Sequence, residues 1–256
     1  MANKTLKQIR DLVVMDNPEI IGHELFPEPY LNNLINNAQR DVQMNLSGLA
    51  LQRFITSKTG SVGTGEWVND IRWGKQVATF KLSTLTDRME RPKSILDIET
   101  WYGFSDSSLV MGKATEIDYN KFFDVIRNPY NKDYSKPIFT IEGENGATER
   151  YLLLFPILTY PVAGQNNFLQ KVNYYRLCSE LSTDADTLEI PVEYEHYVVK
   201  VANIAVKNAL GQLNAKDEAI SELMNNIKTT HDGFMATMNP ALKNEIAPMD
   251  EGAKLQ

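Results

Sequence analysis

The sequence is poor in cysteine, histidine and long apolar runs, and each scarcity excludes a class of protein. A single cysteine, Cys178, cannot form an intrachain disulfide, and burial as a small apolar side chain is its commoner role. The histidines, His23, His196 and His231, are far apart, and none has a second ligand at metal-type spacing. No apolar run approaches the roughly 20 residues of a membrane span, and the first residues contain no apolar signal core. We therefore expect no membrane segment, and a protein kept in a reducing cytoplasm or in a particle assembled there.

Positive charge is also scarce. Lys and Arg number 26 against 33 Asp and Glu, which gives a net charge of −7. This balance argues against a protein that grips a nucleic-acid backbone through a general basic surface. One aromatic region could still stack single-stranded bases, although burial in a core or interface is the favoured interpretation. The region contains Trp67, Trp73, Trp101 and Tyr102, near the cations Arg72, Lys75 and Lys81.

Catalytic and metal-binding motifs are missing as well. The stretch Ser57–Gly65 is rich in glycine but has no Gly-Lys-Ser/Thr, so it predicts a flexible loop rather than a phosphate site. Asp184-Ala185-Asp186 resembles the start of a calcium loop but lacks its glycine and final glutamate, so we predict a turn shaped by aspartate. A hydrolase could use the carboxylates Glu116, Asp118 and Asp124, but an acidic chain offers such groups by chance. The sequence predicts no enzyme, no metal and no cofactor.

Helical periodicity is concentrated at the two ends of the chain. Thr5–Met15 has capping-box spacing at Thr5 and Gln8, and Glu28–Phe54 carries an apolar stripe beside an Asn-rich face that we expect to be solvated. A third helix follows Pro191 and ends near Gly211. Residues 214–227 predict a last amphipathic helix, and residues 232–256 a tail or arm.

The middle of the chain has mostly short extended segments. Candidate strands are Ala78–Leu85, Ser94–Thr100, Pro137–Glu142, Arg150–Ile157 and Phe168–Cys178. The third and fourth strands flank a glycine-containing turn and should form a hairpin, and Asp118–Arg127 has the spacing of a short helix. No alternation of strands and helices is visible, so a doubly wound sheet is disfavoured.

These elements predict an α+β fold. A helical hub of N- and C-terminal helices would carry a large inserted β-rich domain. The expected divisions are residues 1–56 and 179–230 for the hub, 57–178 for the insertion and 231–256 for the tail.

The helix after Pro191 is apolar most of the way round, which indicates that it is covered on several sides. It is either the centre of one domain or a helix packed between subunits. Its polar strip is narrow and consists of His196, Lys200, Asn203 and Lys207. A first apolar stripe contains Tyr194, Tyr197, Val198, Val201, Ala202, Ala205 and Ala209. A second contains Val199, Val206, Leu210 and Leu213.

Four stretches of the sequence resemble a known protein family. They are the apolar run Tyr151-Leu-Leu-Leu-Phe-Pro156, the Tyr-rich strand Val172-Asn-Tyr-Tyr-Arg176, the step into the helix Leu188-Glu-Ile-Pro-Val-Glu-Tyr-Glu-His196, and the N-terminal helix with Leu34-Ile-Asn-Asn-Ala-Gln-Arg40. Together they resemble the head-to-tail adaptor proteins, or neck connectors, of tailed bacteriophages. The resemblance covers about a third of the chain, and residues 57–131 have no counterpart in it.

The resemblance implies a structural virion protein in the neck of the particle. It implies a ring, commonly a dodecamer, that docks under the portal protein and binds tail hub or nozzle proteins. Double-stranded DNA would pass through the centre without sequence-specific binding. Heterologous contacts in a ring bury two sides of each subunit, so we expect Val199, Val206, Leu210 and Leu213 at the subunit interface. We expect Phe234, Met235 and Met238 to dock on the portal.

Three alternatives stay open at this stage. The first is another neck or tail ring protein, a stopper or a tail terminator, which is usually a smaller β-barrel without paired terminal helices. The second is a hydrolase that uses Glu116, Asp118 and Asp124. The third is a nucleic-acid-binding module built on Trp67 and Trp73.

Overall fold

A computed structural model describes residues 3–46, 48–61, 67–69, 77–89, 94–102, 109–128, 136–143, 150–156 and 168–212, with the single helical positions 221 and 225. The protein is a mixture of α-helices and β-strands. It divides into two compact units, Met1–Phe54 with Leu177–Gln256 and Ile55–Arg176, here called the helical unit and the sheet unit. Leu213, Phe234, Met235, Met238 and the predicted tail lie outside the described residues.

The described helices and strands have the following bounds. The helices are α1 (Leu6–Asp16), α2 (Glu28–Asn45), α3 (Gly48–Gln52), α4 (Tyr119–Arg127) and α5 (Glu195–Ala209). The strands are β1 (Ile55–Ser61), β2 (Trp67–Asn69), β3 (Ala78–Lys81), β4 (Ile95–Tyr102), β5 (Leu109–Glu116), β6 (Ile138–Glu142), β7 (Tyr151–Phe155) and β8 (Phe168–Tyr175). None of these helices has the length and apolarity needed to cross a membrane.

In the helical unit, α1, α2 and α5 pack against one another. The prediction for α1 is confirmed, because the Thr5 side chain accepts from the Gln8 backbone N–H and the Gln8 side chain accepts from the Thr5 N–H. Apolar side chains at helical spacing, Leu6, Ile9 and Val13, are buried. This face anchors α1 in the core of the unit.

The single helix predicted over Glu28–Phe54 is wrong after Asn45, where the structure interrupts it. Helix α2 ends at Asn45, because Leu46 adopts an extended backbone with φ −69° and ψ 153°. Leu46 is buried at that bend, and the short α3 follows it. Burial of one leucine therefore interrupts a periodicity that continues through the sequence.

The start and the end of α5 follow from residues with fixed backbone preferences. After Pro191 the chain forms one 3-10 turn, Val192–Tyr194, before α5 begins. Gly211 has φ +70° and its N–H donates to the Asn208 carbonyl at 3.0 Å, so the prediction of a glycine stop is confirmed.

The sheet unit contains one eight-stranded sheet in the order β1-β8-β4-β5-β6-β7-β3-β2. Neighbouring strands are antiparallel except β5 and β6, which pair in parallel only at Thr115–Ile138 and Glu116–Phe139. Helix α4 lies between these two strands in the chain, so β5, α4 and β6 form a β-α-β crossover that the sequence analysis did not predict. The predicted β6–β7 hairpin is confirmed, with Phe139 opposite Leu154.

Two apolar clusters cover the two faces of β7. Leu152 and Leu154 join a core that also receives Trp67 from β2, Ile98 from β4 and Val172 from β8. That core therefore joins side chains from strands that lie far apart in the strand order. The alternate side chains of β7, Leu153 and Phe155, pack with Phe122 and Phe123 of α4 in the second cluster. The strand alternates between two cores because both of its faces are covered.

The prediction of a flexible loop over Ser57–Gly65 is wrong for the residues that the structure describes, since β1 extends from Ile55 to Ser61. Strand β1 pairs with β8 through seven antiparallel residue pairs, from Ile55–Tyr175 to Ser61–Leu169. Gly60 has a packing role, because a Cβ atom there would lie 3.1 Å from Cδ1 of Trp67. Polar residues are compatible with a strand at the end of the strand order.

Candidate interaction surfaces

Three buried amide side chains of α2 hold residues 178–189, an irregular segment of the helical unit that leads along the chain towards α5. Asn36 is 4% exposed. Its Nδ2 donates to the Leu181 carbonyl at 3.0 Å, and the Leu181 N–H donates to its Oδ1 at 2.9 Å. Asn36 thus binds both backbone groups of one residue, as a neighbouring β-strand would. The solvated Asn-rich face predicted for α2 is wrong at this position.

Gln39 and Gln43 extend the same pattern along α2. The Glu189 N–H donates to Gln39 Oε1 at 3.1 Å, and Gln39 Nε2 donates to the Ser179 carbonyl at 3.2 Å. The Cys178 N–H donates to Gln43 Oε1 at 2.9 Å. We call Asn36, Gln39 and Gln43 the amide row. They lie three, four and seven positions apart, which places them on one helix face. They satisfy backbone groups that would otherwise be buried without partners.

A turn within this segment is shaped by Asp186. Its carboxylate accepts from the backbone N–H groups of Thr183 at 2.8 Å and Ser182 at 2.7 Å. The hydrogen bonds from Thr183, followed by those from Ser182, lower the pKa of Asp186 to about 2. Asp184 instead pairs with Arg10 at 2.7 Å. Among the described residues no group of three or more His, Cys, Asp or Glu could hold a metal, and the prediction of an aspartate-shaped turn is confirmed.

The N-terminal segment is tied to α5 by a buried carboxylate. Glu195 is 1% exposed. It accepts from the Lys4 N–H at 2.8 Å and pairs with Lys4 Nζ at 2.9 Å. An acidic residue near a helix start also interacts favourably with the helix dipole. The structure gives Glu195 a second role, as the partner of a distant backbone N–H.

The residues predicted at a subunit interface differ in how deeply the structure buries them. Val206 is fully buried within its own chain, so it belongs to the core of the helical unit and offers no surface to a neighbouring subunit. Its place in the interface prediction is therefore corrected. Val199 and Leu210 are half-buried and remain candidates. Leu213 lies outside the described residues.

Three large apolar side chains at the end of α1 and in the connection that follows it are exposed. Met15, Ile21 and Leu25 are 78%, 70% and 62% exposed. Met15 lies at the end of α1, and Ile21 and Leu25 lie in the connection to α2, which is held by the buried side chains Ile20 and Phe26. Water-exposed apolar side chains grouped in one segment are characteristic of an interaction site. The only local signal in the sequence is the apolar pair Ile20-Ile21 close after Asn17-Pro18. In the structure, Pro18–Ile20 forms a 3-10 turn.

The sheet unit carries a mixed charged cluster on adjacent strands β5, β4 and β8. Lys113 Nζ lies 3.5 Å from both Asp97 Oδ2 and Glu99 Oε1, and Lys171 Nζ lies 3.6 Å from Glu99 Oε2. Asn173 donates to Asp97. The charge of Asp97, followed by its hydrogen bond, raises the pKa of Lys113. Cations and carboxylates satisfy one another here, so the cluster is a cross-strand ion network.

The carboxylates considered for a hydrolase have separate positions in the fold. Glu116, Asp118 and Asp124 are all exposed. Asp118 is the N-cap of α4 and accepts from the Asn120 N–H at 2.9 Å, which is a structural role that its sequence position explains.

The aromatic platform is incomplete in the structure. Trp67 is fully buried, and its ring lies 5.0 Å from that of Phe80, so it cannot stack on a nucleic-acid base. The favoured interpretation, burial in a core, is confirmed for Trp67. Trp73, Arg72 and Lys75 lie outside the described residues.

His196 lies on the solvent side of α5 and stacks on Tyr197, with ring centroids 3.9 Å apart. Partial burial, followed by the charge of Lys200, lowers the pKa of His196, so the imidazole is neutral at neutral pH.

Comparison with known proteins adds no assignment: no protein family model matches this chain, and no curated protein matches it.

Proposed function

We propose that this chain is a structural virion protein, the head-to-tail adaptor of a tailed bacteriophage. In this proposal several copies form a ring beneath the portal, join the capsid to the tail and surround the passing genomic DNA. The helical unit is the hub of each subunit, and the sheet unit is an insertion that faces tail proteins. The resemblance described under Sequence analysis is the origin of the proposal.

The observation that carries the proposal is the exposed apolar surface of Met15, Ile21 and Leu25 in the helical unit. Large apolar side chains that are more than half exposed raise the free energy of an isolated subunit in water, and a protein partner removes that cost. The half-buried Val199 and Leu210 on α5 would contribute a second, smaller apolar contact. Two contact regions on one subunit are the requirement for a closed ring.

Charge supports the expected behaviour towards DNA. The net charge of −7 opposes tight binding to phosphates, as a channel that releases its DNA requires. The portal contact in this proposal uses Phe234, Met235 and Met238.

The packed helices of the helical unit also favour an adaptor over the alternative functions. A stopper or terminator is usually a smaller β-barrel without paired terminal helices, whereas α1, α2 and α5 pack together here. A carboxylate-dependent hydrolase gains no support from the exposed Glu116, Asp118 and Asp124. Alanine at these three positions should therefore leave particle assembly intact.

The test is the mass of the complex that the chain forms with its expected partners. The purified full chain is mixed with the portal protein and with the tail proteins of the same genome, and each mixture is examined by native mass spectrometry. We expect a complex that contains several copies of this chain with the portal. A chain that stays monomeric alone and in every mixture contradicts the ring.

A further inference from the structure

Two buried polar atoms inside the sheet unit have no hydrogen-bond partner among the residues that the structure describes. One is Nε1 of Trp67 on β2, and the other is Oε1 of Gln170 on β8. Trp67 is fully buried and Gln170 is 2% exposed, so bulk water does not reach either atom. Buried polar atoms are usually hydrogen-bonded in native proteins, and each exception requires a physical explanation.

Gly60 of β1 shows that the two atoms belong to the same place. It is the direct partner of Gln170 in the antiparallel pairing of β1 with β8, so the two side-chain positions lie on one face, about 4.5–5.5 Å apart. A Cβ atom at Gly60 would lie 3.1 Å from Cδ1 and 3.7 Å from Nε1 of Trp67. The edge of the indole ring that carries the N–H therefore lies beside Gly60, within reach of a long side chain on the neighbouring strand.

The face that Gln170 shares with Gly60 is the interior face of the sheet. Val172 follows Gln170 by two residues on β8, and it belongs to the apolar cluster that contains Trp67. Residues two apart on a strand point to the same side of the sheet, so Gln170 points towards that cluster, as its burial requires. Both unsatisfied atoms are thus surrounded by apolar side chains, where an unmade hydrogen bond is most costly.

The nearby hydroxyl group cannot satisfy Gln170. Thr100 is opposite Gln170 on β4, but its hydroxyl donates its proton to the Gly112 carbonyl at 3.2 Å. Trp67 and Gln170 do not bond each other directly, since both atoms lack a partner among the described residues. An indole N–H can only donate and an amide oxygen can only accept. A group that satisfies both must accept one hydrogen bond and donate another.

We propose that a buried water molecule bridges Trp67 and Gln170 inside the sheet unit. It accepts a hydrogen bond from Nε1–H of Trp67 and donates one to Oε1 of Gln170. A metal cation cannot accept from the indole N–H, and an anion without a proton cannot donate to the amide oxygen. A neutral hydroxyl group has both capacities, and water is the smallest molecule that supplies one. Internal waters in proteins bind polar groups of this kind.

The water links strands that do not pair with each other. Strand β2 has three residues, pairs with β3 and is at one end of the strand order, whereas β8 is next to the other end. Through Trp67 the water ties β2 to β8, so its loss should loosen β2. This inference is independent of the proposed ring, because it concerns the interior of one unit of one chain.

A crystal structure of the full chain, at a resolution that shows internal waters, tests the bridge. We expect density for one water within hydrogen-bonding distance of both Trp67 Nε1 and Gln170 Oε1. Three results would each overturn the proposal. They are a direct hydrogen bond between the two side chains, a Gln170 amide whose nitrogen takes the place of the oxygen, and a position between the two atoms without water density.

Nuclear magnetic resonance tests the bridge in solution. In the full chain labelled with ¹⁵N, the indole N–H of Trp67 should show a nuclear Overhauser cross-peak with a long-lived water. Gln170→Leu removes the acceptor, and a buried water needs roughly two to four polar partners. We therefore expect this variant to lose the cross-peak and to exchange the backbone N–H protons of β2 faster.

The matched control is Gln52→Leu, the same change at an exposed position of α3, which should keep the cross-peak. If circular dichroism shows that Gln170→Leu does not fold, Gln170→Met replaces it, because a flexible methionine fills irregular space in a core. A cross-peak that persists in the folded Gln170 variant overturns the bridge, and so does its absence from the original chain.

Discussion

Replacing Asn36 with alanine should show how much the amide row contributes to the free energy of unfolding, apart from any effect on the helix propensity of α2. The substitution removes two hydrogen bonds, 3.0 Å and 2.9 Å long, that join Asn36 to the backbone of Leu181. Leu181 is 4% exposed, so its N–H and carbonyl are left without partners away from bulk water. Each such group costs about 1–3 kcal/mol, and together they should lower the free energy of unfolding by about 2–6 kcal/mol.

The matched control is Asn37→Ala on the same helix. Asn37 is exposed, and a surface substitution of this kind changes stability by less than about 0.5 kcal/mol. Both variants lose one asparagine from α2, so helix propensity cancels in the comparison. The assay is urea denaturation followed by far-ultraviolet circular dichroism. With a slope of about 2 kcal/mol per molar urea, the midpoint of Asn36→Ala should fall by roughly 1–3 M. Equal midpoints for the two variants would refute the amide row as a support of this fold.

Two further predictions concern buried and exposed carboxylates. Glu195→Ala leaves the Lys4 N–H without its partner in a buried position, so the free energy of unfolding measured in urea should fall by about 2–4 kcal/mol. The control Glu193→Ala, at an exposed position, should cost less than about 0.5 kcal/mol. Similar losses in the two variants would contradict the buried role of Glu195. The pKa of Asp186 falls from 3.8 to about 2 on folding, so the stability that it contributes is complete above pH 3.8 and is lost as the pH falls towards about 2. Asp186→Asn should therefore show a flatter loss of stability over that window in acid titrations, and an unchanged acid profile would contradict the turn.

Local signals in the sequence were sufficient for elements that local chemistry determines. The capping box at Thr5 and Gln8 and the glycine stop at Gly211 each act within one helical turn. The β6–β7 hairpin is determined in the same way, by a turn between two apolar runs. In these cases the interacting residues are close in the chain, so spacing alone identifies them.

Contacts between distant residues explain the predictions that failed. Asn36 is buried because it binds Leu181, 145 residues further along the chain, and no local pattern distinguishes it from the exposed Asn37. The polar strand β1 forms because β8 provides its hydrogen-bond partners. Val206 has the same residue type as the half-buried Val199, but its position on α5 faces the core. The exposure of Ile21 and Leu25 likewise depends on which neighbours anchor Ile20 and Phe26.

Electron microscopy of the virus particle with a label on this chain tests the proposed function most directly. A fusion tag on the full chain, bound by a gold-labelled antibody, marks its position in averaged images of particles. We predict label in a ring between the portal vertex of the capsid and the top of the tail. Particles that lack the label altogether, or that carry it elsewhere than the neck, would contradict the account.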